Sequence, residues 1–370
     1  MKAPTSLIAA AEKAILECRN AASPVRGSGE VAEVARLVVS LPENLVNEWA
    51  PHLSAGRLEI TGVFTHQTPK ALWTDPRTGD DQSPELADLL VIVESNDAWG
   101  STQRALLVQA KVADARRTDG RFTLAKKGPA VQRYLYAHWP PFKLTGLTAH
   151  SRQFNIAPRV AGTCPGSRYA SINVNTPAPD SGWWVEAAQP AIPTKPGPAS
   201  PGASSTATAR VPADPRDPVS VVDYDGSFDA TVSLGEALRE MILGTLGTPL
   251  DKDPEWKGVV DHLIAVATQR DVAGMKMPGV FATSAGVKLE HIVTANRVMK
   301  FAPTYVGPYL LLNEDTVVHH SGNVGSWPPG RDGTFEPFIE AWPGGFGIIH
   351  MRLSSAEWKD GEASDERPIG

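Results

Sequence analysis

Pro84–Ser95 reads PELADLLVIVES, and Arg104–Val112 reads RALLVQAKV. The unbroken apolar run Leu89–Val93 has strand length and is the pattern of a strand covered on both faces; Ala105–Val112 reads as the next strand. The intervening SNDAWGSTQ is a loop, so the two strands form a hairpin. Asp88 opens the first strand. Gln109 and Lys111 lie two apart near the end of the second and therefore share a face. With the turn centred near Trp99, Asp88 falls opposite Ala110, and a shift of one residue sets it beside Gln109 or Lys111. Polar groups placed on apolar strands are hydrogen-bonded, ion-paired or used in chemistry.

Around this hairpin the chain alternates helix and strand signals. MKAPTSLIAAAEKAILECRN is amphipathic, with Glu12 and Lys13 interrupting its apolar stretch, so it reads as a helix rather than a secretion signal. GEVAEVARLVVSL has helical spacing, and PENLVNEWAPHL suggests a further helix opening at Pro42. RLEITGVFTH is a strand. KKGPAVQRYLYAHWPPF is a helix between Pro129 and Pro140, and SRYASINVN is a strand. A Pro/Ala/Ser/Thr-rich stretch at 189–220 has the composition of a disordered loop or linker. Beyond it, SLGEALREMILGTL opens with a Ser233–Glu236 capping box, and PEWKGVVDHLIAVATQ is another helix. Lys276–Leu353 reads as strands and loops, and the acidic tail as frayed. The expected division is a domain at 1–188 with its core at about 42–175, a linker at 189–220, and an α+β region at 221–370.

The net charge is −6, but its distribution is uneven. Arg104–Lys143 holds nine Lys or Arg against Asp114 and Asp119, giving +7 there and −13 elsewhere. Two cysteines, Cys18 and Cys164, are too few for a disulfide framework or a thiolate zinc site. With no apolar run of membrane-spanning length, the expected location is the cytoplasm. GxxxxGK[ST], GxGxxG after a strand, and HExxH are all missing, which disfavours nucleotide hydrolysis and zinc-protease chemistry.

An acid, an amide oxygen and an ammonium at one point suit a hard divalent cation, which takes oxygen ligands from one or two carboxylates, water and phosphate. Asp88 and Gln109 would face the cation. Lys111 would orient the attacking hydroxide and offset negative charge at phosphorus. Asp88, the following strand and Gln109-Ala110-Lys111 resemble the signature of the PD-(D/E)XK nuclease superfamily, with Gln109 where Glu or Asp is commoner. Gln132-Arg133-Tyr134-Leu135-Tyr136 resembles the QxxxY motif of its RecB-like members; Gln132 and Tyr136, four apart, share a helix face.

The resemblance spans roughly Pro42–Val174. It implies an α/β fold with a restriction-endonuclease-like core, αβββαβ, its mixed sheet flanked by helices, followed by a C-terminal α+β extension. It further implies a catalytic set of Asp88, Gln109, Lys111, Gln132 and Tyr136, and Mg²⁺ (replaceable by Mn²⁺) on Asp88 and Gln109. In this superfamily an acid on the helix before the first strand often completes the metal site. Glu48 is the expected one, with Glu43 its competitor and Glu85 a possible assistant. The basic segment supplies candidate DNA-backbone contacts at Arg104, Arg116, Arg117, Arg121, Lys126, Lys127 and Arg133.

The expected function is a Mg²⁺-dependent DNA nuclease in prokaryotic restriction, antiphage defence or repair, with a partner carrying an NTPase or sensor function and a homo-oligomer both open as expectations. One alternative is an inactive nuclease-fold module that binds nucleic acid or assembles with partners. Another places a partner-binding role in the C-terminal half. The plain structural alternative is an Asp88–Lys111 ion pair at a sheet end. His66 reads as a structural histidine, His319 and His320 as facing opposite sides, and DYDGSFD at Asp223 as a turn.

Overall fold

The structure, a computed structural model, describes residues 4–20, 25–26, 28–65, 68–75, 79–97, 100–112, 121–123, 127–146, 152–156, 166–174, 180–186, 227–268, 271–272, 275–276, 281–289, 298–299, 339–340 and 345–358. His66, Cys164, Asp223, His319, His320 and the whole 189–220 linker lie outside them.

Five helices are described: α1 (Ser6–Asn20), α2 (Glu30–Trp49), α3 (Lys127–His138), α4 (Leu234–Leu243) and α5 (Pro254–Thr268). The long strands are β1 (Leu53–Thr65), β2 (Leu89–Asp97), β3 (Gly100–Val112), β4 (Ser167–Ile172), β5 (Trp183–Glu186), β6 (Ser227–Ser233), β7 (Phe281–Leu289) and β8 (Phe346–Trp358). They belong to one 11-stranded mixed sheet in the order β7-β1-β8-β2-β3-β4-β5-β6, with short strands at its margins. The Ser233 hydroxyl accepts the Glu236 N–H at 3.2 Å and caps α4, as its sequence predicts.

The α/β class and the helix-flanked mixed sheet match expectation. Leu89, Val91 and Val93 of β2 pack with Leu106 and Val108 beneath α1, α2 and α4. Leu90 and Ile92 join Ala105 and Leu107 beneath α3, α5 and a small four-stranded sheet that includes Lys70–Thr74 and Phe142–Thr145. Both faces of β2 are thus covered, which is why its apolar run is unbroken.

Two expectations are corrected. No helix opens at Pro42: α2 runs unbroken from Glu30 to Trp49, with Pro42 buried inside it. An interior proline costs a helix about 3 kcal/mol. The stripe Val34, Val38, Leu41, Leu45 and Trp49, all buried against the sheet, offsets that penalty.

The second correction concerns the C-terminal region, which is not an appendage. Strand β8 lies in the middle of the sheet, antiparallel to β1 (Ile348↔Val63) and parallel to β2 (Ile348↔Leu90). Its residues 354–358 are strand, where a frayed tail was expected. A boundary at 189–220 therefore does not divide the sheet. Among the described residues no helix is long and apolar enough to cross a membrane.

Helix α2 crosses β8 at Gly347, where a Cβ would stand 2.5 Å from Val38 Cγ2 and 3.1 Å from Val34 Cγ1. A side chain there has to displace Val38 or shift the helix that carries it. Gly347→Val is expected to lower the unfolding free energy in urea by about 2 kcal/mol. Unchanged stability would show that α2 does not pack on β8 in this way.

Candidate active site at the Asp88 end of the central hairpin

The segment leading into β2 is pinned along its length. Ala71 N–H donates to Pro84 O at 3.0 Å, and Leu86 N–H donates to Pro69 O at 2.7 Å. From α3, Gln132 Nε2 donates to Glu85 O at 2.7 Å, and the Tyr136 hydroxyl donates to Leu86 O at 2.6 Å. Asp88 N–H reaches Val108 O at 3.0 Å, and Asp88 O accepts Gly347 N–H at 2.9 Å. Register then follows: Leu89 pairs with Val108, so Asp88 stands across from Gln109, one residue from the position opposite Ala110 and within the anticipated shift.

Asp88 Oδ2 accepts from the Gln109 side-chain amide and from Ala110 N–H, the latter at 2.8 Å. Gln109 Oε1 accepts from Gln132 Nε2, and Gln132 Oε1 accepts the Tyr169 hydroxyl at 3.4 Å. Asp88, Gln109, Gln132, Tyr136 and Tyr169 are all buried. Lys111 Nζ donates not to Asp88 but to Glu30 Oε2, at 2.8 Å.

Electrostatics follow from this crowding. Burial, opposed by Lys111 and reinforced by Glu85 and Glu30, pushes the Asp88 carboxyl up to about 8. Burial disfavours the Lys111 ammonium, but Asp88, Glu30 and Glu85 outweigh it and hold its pKa above the ordinary value. Burial raises the Tyr136 phenol well above its ordinary value, so it stays protonated and donates.

The structure therefore gathers Asp88, Gln109, Lys111, Gln132 and Tyr136, all five expected residues. Glu48 is not among them. It lies near the far end of α2, where it takes Lys13 Nζ at 2.7 Å. At 1.5 Å per residue it is about 27 Å along the helix from Glu30. Glu30, in the first turn of the same helix, is the acid that joins the site. Its sequence signal is an acid opening the helix before the first strand, which a helix start at Pro42 would exclude. Tyr169, buried on β4 opposite Gln109, carried no motif.

Two of the candidate DNA contacts have partners within the protein. Arg104 donates to Leu246 O and Gly247 O at 3.1 and 2.9 Å, tethering the turn after α4. Arg133 is buried, 2.5 Å from Glu186 Oε1 and over the Tyr169 ring at 5.1 Å. Arg133 is held inside the fold, whereas Arg104 is half-buried. Arg116, Arg117 and Lys126 lie outside the described residues, as do the side chains of Arg121 and Lys127.

Comparison of the chain with protein-family models, curated proteins and solved structures finds no match. The site is thus defined by its geometry: a buried, amide-bound carboxyl beside a lysine–glutamate pair, at one end of the sheet's central strands.

A carboxyl raised from its ordinary 3.8 to about 8 gives full stability below the lower value and loses it as pH climbs through the upper one. Asp88→Asn is therefore expected to raise the melting temperature of the cation-free protein at pH 8, with the gain shrinking towards zero near pH 4. A gain or loss independent of pH would refute the perturbed carboxyl.

Proposed function

We propose that this chain is a metal-dependent nuclease that hydrolyses phosphodiester bonds in DNA, with the site at Asp88 as its catalytic centre. The observation carrying this reading is the convergence of Asp88, Gln109, Lys111, Gln132 and Tyr136, predicted from two separate motifs, on one end of the hairpin. The helix–strand–strand–strand–helix–strand succession α2-β1-β2-β3-α3-β4 supports a restriction-endonuclease-like core, into which β8 is inserted between β1 and β2.

The donor set fits a hard divalent cation such as Mg²⁺. Asp88 and Glu30 offer oxygen ligands around a single ammonium. Among the described residues no three His, Cys, Asp or Glu side chains converge as a ready-made metal cage. One or two carboxylates completed by water and phosphate is the usual arrangement for Mg²⁺. Such a cation, when bound, supplies an activated water and charge stabilisation at phosphorus.

The protein's own groups do the rest. Asp88 must give up its proton to act as a ligand, so cation affinity climbs with pH towards about 8. Lys111, kept charged by its three acidic neighbours, offers N–H donors to a phosphate oxygen that gains charge in the transition state. Gln132 and Tyr136 position: they hold the Glu85–Leu86 backbone and so fix where Asp88 sits. Restriction, defence or repair are the settings such an activity suits.

A second reading, a nucleic-acid-binding module without catalysis, is favoured by one contact: Gln109 turns its NH₂ towards Asp88 rather than its oxygen. Incubation of the full chain with supercoiled and linear DNA in Mg²⁺ or Mn²⁺ separates the two. The expected result is cleavage, with Asp88→Ala and Lys111→Ala each reducing the rate by about 100-fold or more. Salt-sensitive binding without cleavage by the unmutated protein selects the second reading; full cleavage by both variants removes Asp88 and Lys111 from the chemistry.

A further inference from the structure

The side chains around Asp88 form a hydrogen-bond chain whose direction is fixed from its Glu85 end. The Glu85 main-chain carbonyl can only accept, so Gln132 must turn its NH₂ towards it. The second proton of that NH₂ goes to Gln109 Oε1, and the Tyr169 hydroxyl satisfies Gln132 Oε1. Gln109 then has only its own NH₂ to present to Asp88 Oδ2. At the other end Ala110 N–H, which can only donate, already occupies the same carboxyl oxygen. Turning over the Gln109 amide sets NH₂ against NH₂ at Gln132. Turning over Gln132 as well sets its oxygen against the Glu85 carbonyl. Each arrangement but the observed one buries like groups face to face, at the cost of unsatisfied polar atoms.

We propose that Gln109 is a hydrogen-bond donor that positions Asp88, not a cation ligand, and that Glu85 O, acting through Gln132, enforces this role. The inference departs from the superfamily resemblance, in which position 109 faces the metal. It rests on the nuclease reading only for its cation measurements. Under this assignment Gln109→Glu does not restore a missing ligand. It removes the donor from Asp88 and sets a second carboxylate against it.

Gln109→Glu in the full chain is expected to melt about 5 °C lower than the unmutated protein in cation-free buffer. By calorimetry it is expected to bind Mn²⁺ no more tightly. An unchanged melting temperature together with Mn²⁺ binding tightened tenfold or more would overturn the proposal. Should the variant not fold, ¹³C,¹⁵N-glutamine labelling of the unmutated protein decides the matter. The Gln109 side-chain N–H signals should exchange slowly, and its carbonyl ¹³C shift should stay put on adding Mg²⁺; a moving carbonyl shift would refute the donor role. Failure of the nuclease reading shows separately, as no Mn²⁺ heat with the unmutated chain, and leaves the cation-free melting and amide exchange to decide the polarity.

Discussion

Asp88 is the point at which three strands are fastened together. Its N–H bonds to β3 at Val108, its carbonyl takes the Gly347 N–H that starts β8, and its carboxyl takes Gln109 and Ala110. A buried carboxyl without donors is costly enough to abandon its charge or the fold. The donors here come from the very strand that Asp88 must pair with, so satisfying the side chain and setting the register are one requirement. A slip of one residue would turn Gln109 away from Asp88 and exchange the two apolar faces of β3. The position of the site and the register of the hairpin therefore stand or fall together.

That constraint reaches the far end of the chain. Strand β8 arrives more than two hundred residues after β2 yet pairs with it from Gly347↔Leu89 to Ser354↔Asn96, and with β1 on its other side. Its closing residue Trp358 meets Trp49 at the end of α2, ring centroids 6.1 Å apart and nearly perpendicular. Until β8 docks, β1 and β2 have open edges facing each other, and Asp88 O lacks its partner. Pairings of such sequence separation form late, because loop closure has to be met before they contribute. The site is consequently completed by the last described strand.

What the sequence makes legible is local and periodic. Alternation of period two, with a short turn, places Asp88 within one residue of its partner, and a four-residue helix spacing puts Gln132 and Tyr136 on the face that meets it. What stays hidden is whatever depends on partners distant in sequence. The stretch GFGIIHMRL falls in a region that reads as strands and loops, with nothing local to place it in the sheet's centre. Pro42 reads as a helix start because propensity is local, whereas the packing that carries α2 past it is not. A charge count groups Arg104 and Arg133 with the candidate DNA contacts. Counting cannot see that Leu246, Gly247 and Glu186 take up their guanidinium groups.

The amide at position 109 also has an electrostatic logic. Asp88, Glu30 and Glu85 already act on one another around the single ammonium of Lys111, and burial raises Asp88 to about 8 in their company. A fourth carboxylate, placed directly across from Asp88 and away from water, would repel it at hydrogen-bond distance. It would push the shared proton affinity higher still, so that the pair held a proton to higher pH than Asp88 does alone. An amide there reverses the sign of the contact: its N–H stabilises the charged form of Asp88, and its oxygen is consumed by Gln132. Glutamine at this position leaves one carboxyl that can ionise, in place of two that would compete for the same proton.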